Sequence, residues 1–429
     1  MNAQFTASEP ETETTIAVVG GGLAGLSMAA CLGTAGIRTT VIDTEGEPDD
    51  RPFFEVDDNR TTALIQNSLS FLSACGVWEG CKEHSTPLEV MRIVNLPRGL
   101  MRKPSETDFR SEEVGAGAFG YNVPNILLRR SLCKRLEELE CVDHRYLSKV
   151  TQLDNKGPKA VIKLENGDRI TAELVVAADG AGSPTRQMAG IKTTSWDYPQ
   201  TAITCYIEHS KPHDCISTET HYPAGPFVLV PMHSQDGSLK RSSIVWVEES
   251  NRAKRLLSGP REEFIEALEQ KLGDRLGTVE LFGSQGGFPL SSMIADSFHA
   301  PRLALIAEAA HRLPPIAAQG LNLSLRDVAE LADQLISAVS SGRDAGSADV
   351  LRAYDKSRRF DVVTRMAAAD SFNRFASNNS VVLHSIRDLG LGFLRQIGPA
   401  RRVLMKVGMD SPTGTPNLMT GKPIPHIQS

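Results

Sequence analysis

The stretch Ile16-Ala17-Val18-Val19-Gly20-Gly21-Gly22-Leu23-Ala24-Gly25 decides the fold. A short apolar run that stops at a turn signal is the pattern of a strand buried on both faces. Gly20, Gly22 and Gly25 fit GxGxxG. Such glycines permit a tight turn and let a pyrophosphate approach backbone N–H groups at a helix N-terminus. Leu23 to about Thr34 is the predicted helix, and Thr39–Ile42 a second buried strand. Together they start a right-handed βαβ unit. Asp43 ends the second strand, 23 residues after Gly20. A carboxylate there accepts hydrogen bonds from a ribose diol. Gly20, Gly22, Leu23, Ala24, Gly25 and Asp43 are therefore candidate cofactor contacts. GxGxxG by itself does not separate NAD from FAD, and a Gly-rich turn of another α/β fold also fits it.

Working outward, 429 residues exceed one ordinary domain. With 41% hydrophobic and 23% charged residues the profile is that of a soluble globular protein. A net charge of −6 disfavours nucleic acid as a partner. The seven cysteines form no CxxC pair, which reads as free or buried thiols in a reducing compartment. Cys and His do not cluster at ligand spacing, so no metal site is expected. Met1–Thr14 is polar and acidic, reads as a disordered tail, and lacks the character of a secretion signal. The expectation is cytoplasmic residence.

Thr61–Cys75 and Arg129–Leu139 show helical spacing. Asn166-Gly167 between Ala160–Leu164 and Arg169–Val176 predicts a hairpin. Thr201–Glu208, Thr218–Tyr222, Phe227–Met232 and Ser242–Glu248 read as antiparallel strands of an inserted domain. Arg302–Ala307 returns to a buried strand, and Leu321–Ser340 is a long helix.

Two further motifs follow apolar strands. One is Ala178-Asp179-Gly180-Ala181-Gly182-Ser183-Pro184-Thr185-Arg186, whose Asp-Gly is also an ordinary turn signal. The other is Leu305-Ile306-Ala307-Glu308-Ala309-Ala310-His311, followed by Pro314-Pro315 and Gln319-Gly320-Leu321-Asn322. A helix starting at Gly320 offers unpaired N–H groups to an electron-rich group.

The three motifs, in this order, resemble the group A flavoprotein aromatic hydroxylases of the para-hydroxybenzoate hydroxylase type, over most of the chain. Asp58-Asn59-Arg60-Thr61-Thr62-Ala63-Leu64, Trp196–Ala202, Gly225–Pro231, Val245-Trp246 and Phe288-Pro289-Leu290 narrow the resemblance to the ubiquinone-biosynthesis hydroxylases. Tyr354–Asp361 and Arg374–Gly408 look similar too. The resemblance implies an α/β fold: a Rossmann-like FAD-binding domain (15–84, 125–190, 291–378), an interleaved antiparallel-β substrate domain (85–124, 191–290), and a C-terminal helical segment and tail (379–429).

The same resemblance implies FAD as cofactor and NAD(P)H as co-substrate, with no second dinucleotide motif needed for the latter. It puts Asp179-Gly180 near the pyrophosphate, Glu308 on the ribitol, and Arg60 and Arg129 near the flavin. The loop with Pro315, Gln319 and Gly320, continuing into Leu321 and Asn322, falls beside the isoalloxazine. The implied reaction is hydroxylation of a polyprenylated phenol through a flavin C4a-hydroperoxide, with no base for the phenol identifiable. Arg60 and Arg129 also read as solvated arginines, and His311 as a packed histidine. Three residues depart from the family pattern: Ala307-Glu308 replaces Gly-Asp, Ala318 a Gly before Gln-Gly, and Ala178 a Gly before Asp-Gly.

Val381–Met409 carries Arg387, Arg395, Arg401, Arg402 and Lys406 among apolar residues. That pattern suits a peripheral membrane surface, a partner in a ubiquinone-biosynthesis complex, helices covering the FAD domain, or a self-association surface. A hydroxylase of a soluble phenol and a non-catalytic flavin scaffold are the competing readings. The WxWxIP signature of flavin halogenases is absent, since Trp78, Trp196 and Trp246 stand far apart.

Overall fold

The computed structural model describes residues 11–53, 55–56, 58, 60–96, 104–234, 236–314, 319–377 and 414–427. Strand β1 (Glu11–Val19) turns through the glycines into α1 (Leu23–Thr34) and β2 (Thr39–Ile42). Helix and second strand fall where their patterns predict them. β1 begins earlier, because Glu11–Thr14 pair with Arg169–Ala172. Four residues of the expected tail thus belong to the sheet. They alternate charge and β-branched Thr, the composition of a strand end reaching past the core.

The expected helix Thr61–Cys75 is two elements, β3 (Thr61–Ile65) and α2 (Gln66–Ala74). Thr61, Thr62 and Ile65 are β-branched, and β3 finds an antiparallel partner that helical spacing alone does not reveal. The chain continues through α3 (Glu79–Lys82), β4 (Thr86–Pro87), β5 (Val90–Asn95), β6 (Ser105–Arg110) and β7 (Gly120–Pro124). Helix α4 (Asn125–Glu137) starts four residues before Arg129, directly behind Pro124. Then come β8 (Val142–Arg145) and the meander β9 (Val150–Asp154), β10 (Ala160–Leu164) and β11 (Arg169–Ala177). The β10–β11 hairpin forms, with Gly167 at φ +95 in its turn.

After α5 (Pro184–Met188) follow β12 (Thr193–His209), β13 (Ile216–Tyr222), β14 (Gly225–Met232) and β15 (Arg241–Glu249). Next are α6 (Ser250–Ser258), α7 (Arg261–Leu272), β16 (Val279–Ala295), β17 (His299–Ala300), β18 (Leu303–Leu305) and β19 (His311–Arg312). The long helices α8 (Gln319–Ser340) and α9 (Ala348–Ser377) close the series.

The first sheet runs β17-β18-β11-β1-β2-β8. Its central pairings, β18–β11, β11–β1, β1–β2 and β2–β8, are all parallel. Its core joins both faces of these strands to α1, α8 and α9. The second sheet runs β19-β16-β12-β15-β14-β13-β5-β6. It is antiparallel except where β13 meets β5, a parallel pair that brings in an earlier part of the chain. One of its faces packs Ile203, Phe227, Ile244 and Trp246 on α6 and α7. The other meets the first sheet's side through Tyr206 and Met232 against Phe53 and Ile126. A small third sheet, β3-β7-β4, completes the fold.

The tail past Asp410, expected to be irregular, makes one 3-10 turn, Asn417–Met419, in its described part. It is nonetheless pinned: Leu418 and Met419 are buried, and Asp333 of α8 accepts from the Asn417 N–H at 2.8 Å. The Val381–Met409 segment lies outside the described residues. Among those described, no helix is long and apolar enough to cross a membrane.

Candidate active site

Parallel strands share a direction, so β1, β11 and β18 end on one edge of the sheet. The glycine loop follows β1, the Asp179 turn follows β11, and the Glu308 turn follows β18. Motifs far apart in sequence thus become neighbours in the crevice outside the strands' carboxyl ends, where open α/β sheets bind ligands.

The glycines do different work. A Cβ on Gly20 would lie 2.5 Å from the Ala178 carbonyl oxygen, and one on Gly25 2.0 Å from that of Gly20. These two are required by backbone packing. Gly21 packs so closely on Asp43 that a Cβ there would strike its carboxylate. Gly22, at φ −72, meets nothing within 4 Å, so neither backbone strain nor protein packing demands glycine there. Gly180, Gly182 and Gly320 face the same kind of open space. That is the cradle a dinucleotide requires, since each missing Cβ leaves room for a group that is not protein. The chain therefore fits FAD at this edge. Leu23 and Ala24 open α1 directly behind the loop.

Asp43 is 3% exposed. Its Oδ1 accepts from the Glu45 N–H at 3.0 Å and its Oδ2 from Arg129 at 3.0 Å. Burial pushes this carboxyl up, but contacts from His144, the Glu45 N–H and Arg129 outweigh it and hold it below its ordinary value. Asp43 is therefore a fixed anion, able to accept from a ribose hydroxyl. Arg129 also donates to the Gly46 carbonyl at 3.0 Å, which places it at the β2 end of the edge.

Asp179 spends its carboxylate on its own turn, accepting from the Ser183 hydroxyl and from the Thr185 N–H at 3.0 Å. Its role is to shape the loop that presents Gly180 at φ +81. Buried Arg186 then joins two motifs. It donates to the Ala181 carbonyl and the Ala309 carbonyl, each at 2.8 Å.

Glu308 sits in the single 3-10 turn Ala307–Ala309, exposed and without a hydrogen bond or ion pair among the described residues. Behind it lies a buried charge network. Asp327 Oδ2 accepts from the Ala307 N–H at 2.9 Å and lies 2.6 Å from His311 Nε2. Arg358 donates to Asp327 Oδ1 at 2.8 Å and to Asp361 at 2.7 Å. Burial alone would raise the Asp327 carboxyl, but His311 and Arg358 reverse this and hold it low. Removing one partner from such a buried pair costs about 3–5 kcal/mol. His311 is 3% exposed, the packed histidine of the sequence reading.

Asn322 is also an internal clamp. It donates to the Ala63 carbonyl at 2.8 Å and accepts from the Ile65 N–H and the Ser68 hydroxyl. It ties the start of α8 to β3 and α2. Gly320 is exposed at that start, and half-buried Leu321 packs on the core. Pro315 and Ala318 lie outside the described residues, as does the Gln319 side chain. Arg60 stands where the two large sheets meet. It pairs with Asp58 at 3.0 Å, and the Asp58 carbonyl accepts from Tyr206 of the second sheet at 3.2 Å.

Asp327, Arg358, Asp361 and Tyr354 were not among the candidates read from sequence. One signal is available: Arg326-Asp327 follows Leu321, Leu323 and Leu325 as the first charges of its helix, and Arg358, Asp361 and Arg365 share a face at spacings of three and four.

A family model described as "FAD binding domain" matches residues 13–369. Ubiquinone hydroxylase UbiL of Rhodospirillum rubrum is 34% identical over 412 residues, 95% of this chain and 93% of that protein. The 3-demethoxyubiquinol 3-hydroxylase of Escherichia coli is 31% identical over 92% of this chain and 98% of its own length. Among solved structures, p-nitrophenol 4-monooxygenase PnpA from Pseudomonas putida superposes with a TM-score of 0.75 at 17% identity, covering 94% of this chain and 99% of that one. The chain belongs to the FAD-dependent aromatic monooxygenases, in the family of the ubiquinone-biosynthesis hydroxylases.

Proposed function

We propose that this protein hydroxylates the aromatic ring of a polyprenylated phenol in ubiquinone biosynthesis, with NAD(P)H as reductant and O₂ as oxidant. The observation that carries the reading is similarity to ubiquinone hydroxylases along nearly the whole chain, including the second sheet. When bound, FAD supplies reductive activation of O₂ and transfer of one oxygen atom.

The chain's own contribution is to hold and to exclude. The loop that Gly20 and Gly25 allow to fold would receive the pyrophosphate at Gly22, Asp43 would hold the ribose, and Glu308 the ribitol. The second sheet offers the ring an apolar floor. Thr204, Val245 and Val228 stand side by side in register on the face away from α6 and α7, all half-buried. Tyr206, Phe53, Ile126 and Met232 close one side of that space against water. An apolar floor suits a prenylated ring, whose burial is driven by the hydrophobic effect.

Deleting the gene and analysing quinone lipids tests the proposal in the cell. An accumulated prenylated phenol lacking one ring oxygen is the expected result. An unchanged quinone profile in a strain with no second hydroxylase of this type would contradict it. Turnover of short-chain phenols only would favour a soluble substrate.

A further inference from the structure

The segment from Leu305 to His311 is held from several directions. Tyr354 donates its hydroxyl to the Leu305 carbonyl at 2.8 Å. Arg186 donates to the Ala309 carbonyl at 2.8 Å. Asp327 Oδ2 alone meets both ends of the turn, the Ala307 N–H at 2.9 Å and His311 Nε2 at 2.6 Å. Arg358 fixes that carboxylate from behind through its other oxygen. Yet the turn is unfavourable locally. Ala307 adopts φ +54, a left-handed conformation in which Cβ crowds the following carbonyl. Such a conformation persists only where the surroundings over-determine it. The one polar side chain of Ala307–Ala309 is Glu308, which points outward and unpaired among the described residues.

We infer that Asp327 is a positioning residue: by gripping Ala307 and His311 with one oxygen, it holds the left-handed turn that aims Glu308 at the cofactor's ribitol. Asp327 does this from inside α8, through the Ala307 N–H and His311 rather than through Glu308 itself. The inference rests on Glu308 being the ribitol ligand. Its particular consequence is that Asp327 governs the ribityl-flavin half of FAD and leaves the ADP half alone, because the latter is held by the β1 and β2 ends.

The test is a titration of flavin-free protein with FAD and, separately, with ADP. Glu308→Gln should weaken FAD about tenfold and leave ADP within about twofold. Unchanged FAD affinity for that variant would remove the ribitol reading itself. Asp327→Asn should reproduce the pattern, with FAD about tenfold weaker and ADP unaffected. Adding Ala307→Gly to Asp327→Asn should restore most of the FAD affinity, since glycine adopts the left-handed turn without being held there.

If Asp327→Asn does not accumulate as folded protein, His311→Phe carries the test. It removes one of the two grips while keeping the Asp327–Arg358 pair, and FAD should weaken severalfold with ADP unchanged. A normal Glu308→Gln response, combined with Asp327→Asn or His311→Phe proteins that bind FAD as tightly as wild type, would overturn the inference alone. Equal loss of FAD and ADP would also overturn it, because it would mark a general scaffold role.

Discussion

At Gly22 and Gly25 the same residue type answers to two different physical demands. A methyl group on Gly25 has no space, since the Gly20 carbonyl oxygen is 2.0 Å from its Cβ position. Gly25→Ala should therefore destabilise even the flavin-free protein, with a fall in Tm. Gly22→Ala meets no protein atom, so flavin-free Tm should stay unchanged while FAD affinity falls. A calorimetric scan with and without FAD separates the two. At Ala307 the logic reverses. A left-handed alanine costs about 1–2 kcal/mol, and glycine's extra unfolded freedom returns part of that. Ala307→Gly should stabilise the protein by about 0.5–1 kcal/mol, read as a rise in Tm. The departure from the family's glycine at this position is thus a strained choice, tolerated because Asp327 and His311 hold the turn.

Among the elements, the described tail after Gly414 is the least regular and one of the more informative. Asp333 of α8 accepts from the Asn417 N–H. Burial raises its carboxyl to about 6, against the opposing pull of the Asn417 and Leu418 N–H groups. A carboxyl raised in the folded state favours folding most when protonated. Its contribution is full below the unfolded value near 3.8 and is lost as pH rises through about 6. Asp333→Asn should flatten the pH dependence of stability between these limits, with the variant gaining relative to wild type toward neutral pH. Denaturant midpoints of both proteins across that window measure it. An identical pH slope in the two proteins would show that Asp333 does not carry the effect. The seven cysteines offer no covalent alternative for holding the tail, as all are free thiols.

On the scale of the whole molecule, the first sheet was readable because its signals are local. A run such as Ile16–Val19 followed by glycines is a strand and a turn on its own terms, and Leu23–Thr34 and Thr39–Ile42 sit where their patterns place them. What was not readable depended on distant partners. Thr61–Ile65 becomes a strand because Gly120–Pro124 lies beside it. Glu11–Thr14 join the sheet because Arg169–Ala172 are there to pair. The candidate site divides the same way. Glycines and acids at strand ends announce themselves, whereas Asp327, Arg358 and Arg186 act through contacts made only after folding. Asp179 and Asn322 were found as motif members, yet their side chains serve the protein's own loops.

We propose that three strand ends assemble one FAD site and that it oxygenates a ring lying against the second sheet. The most direct measurement is mass spectrometry of products formed by the FAD-loaded protein from a prenylated phenol, NAD(P)H and isotope-labelled O₂. The expected result is a ring-hydroxylated product carrying one labelled oxygen atom, with the rest of the molecule unchanged. Consumption of NAD(P)H that yields only labelled hydrogen peroxide, with every prenylated phenol supplied, would contradict it.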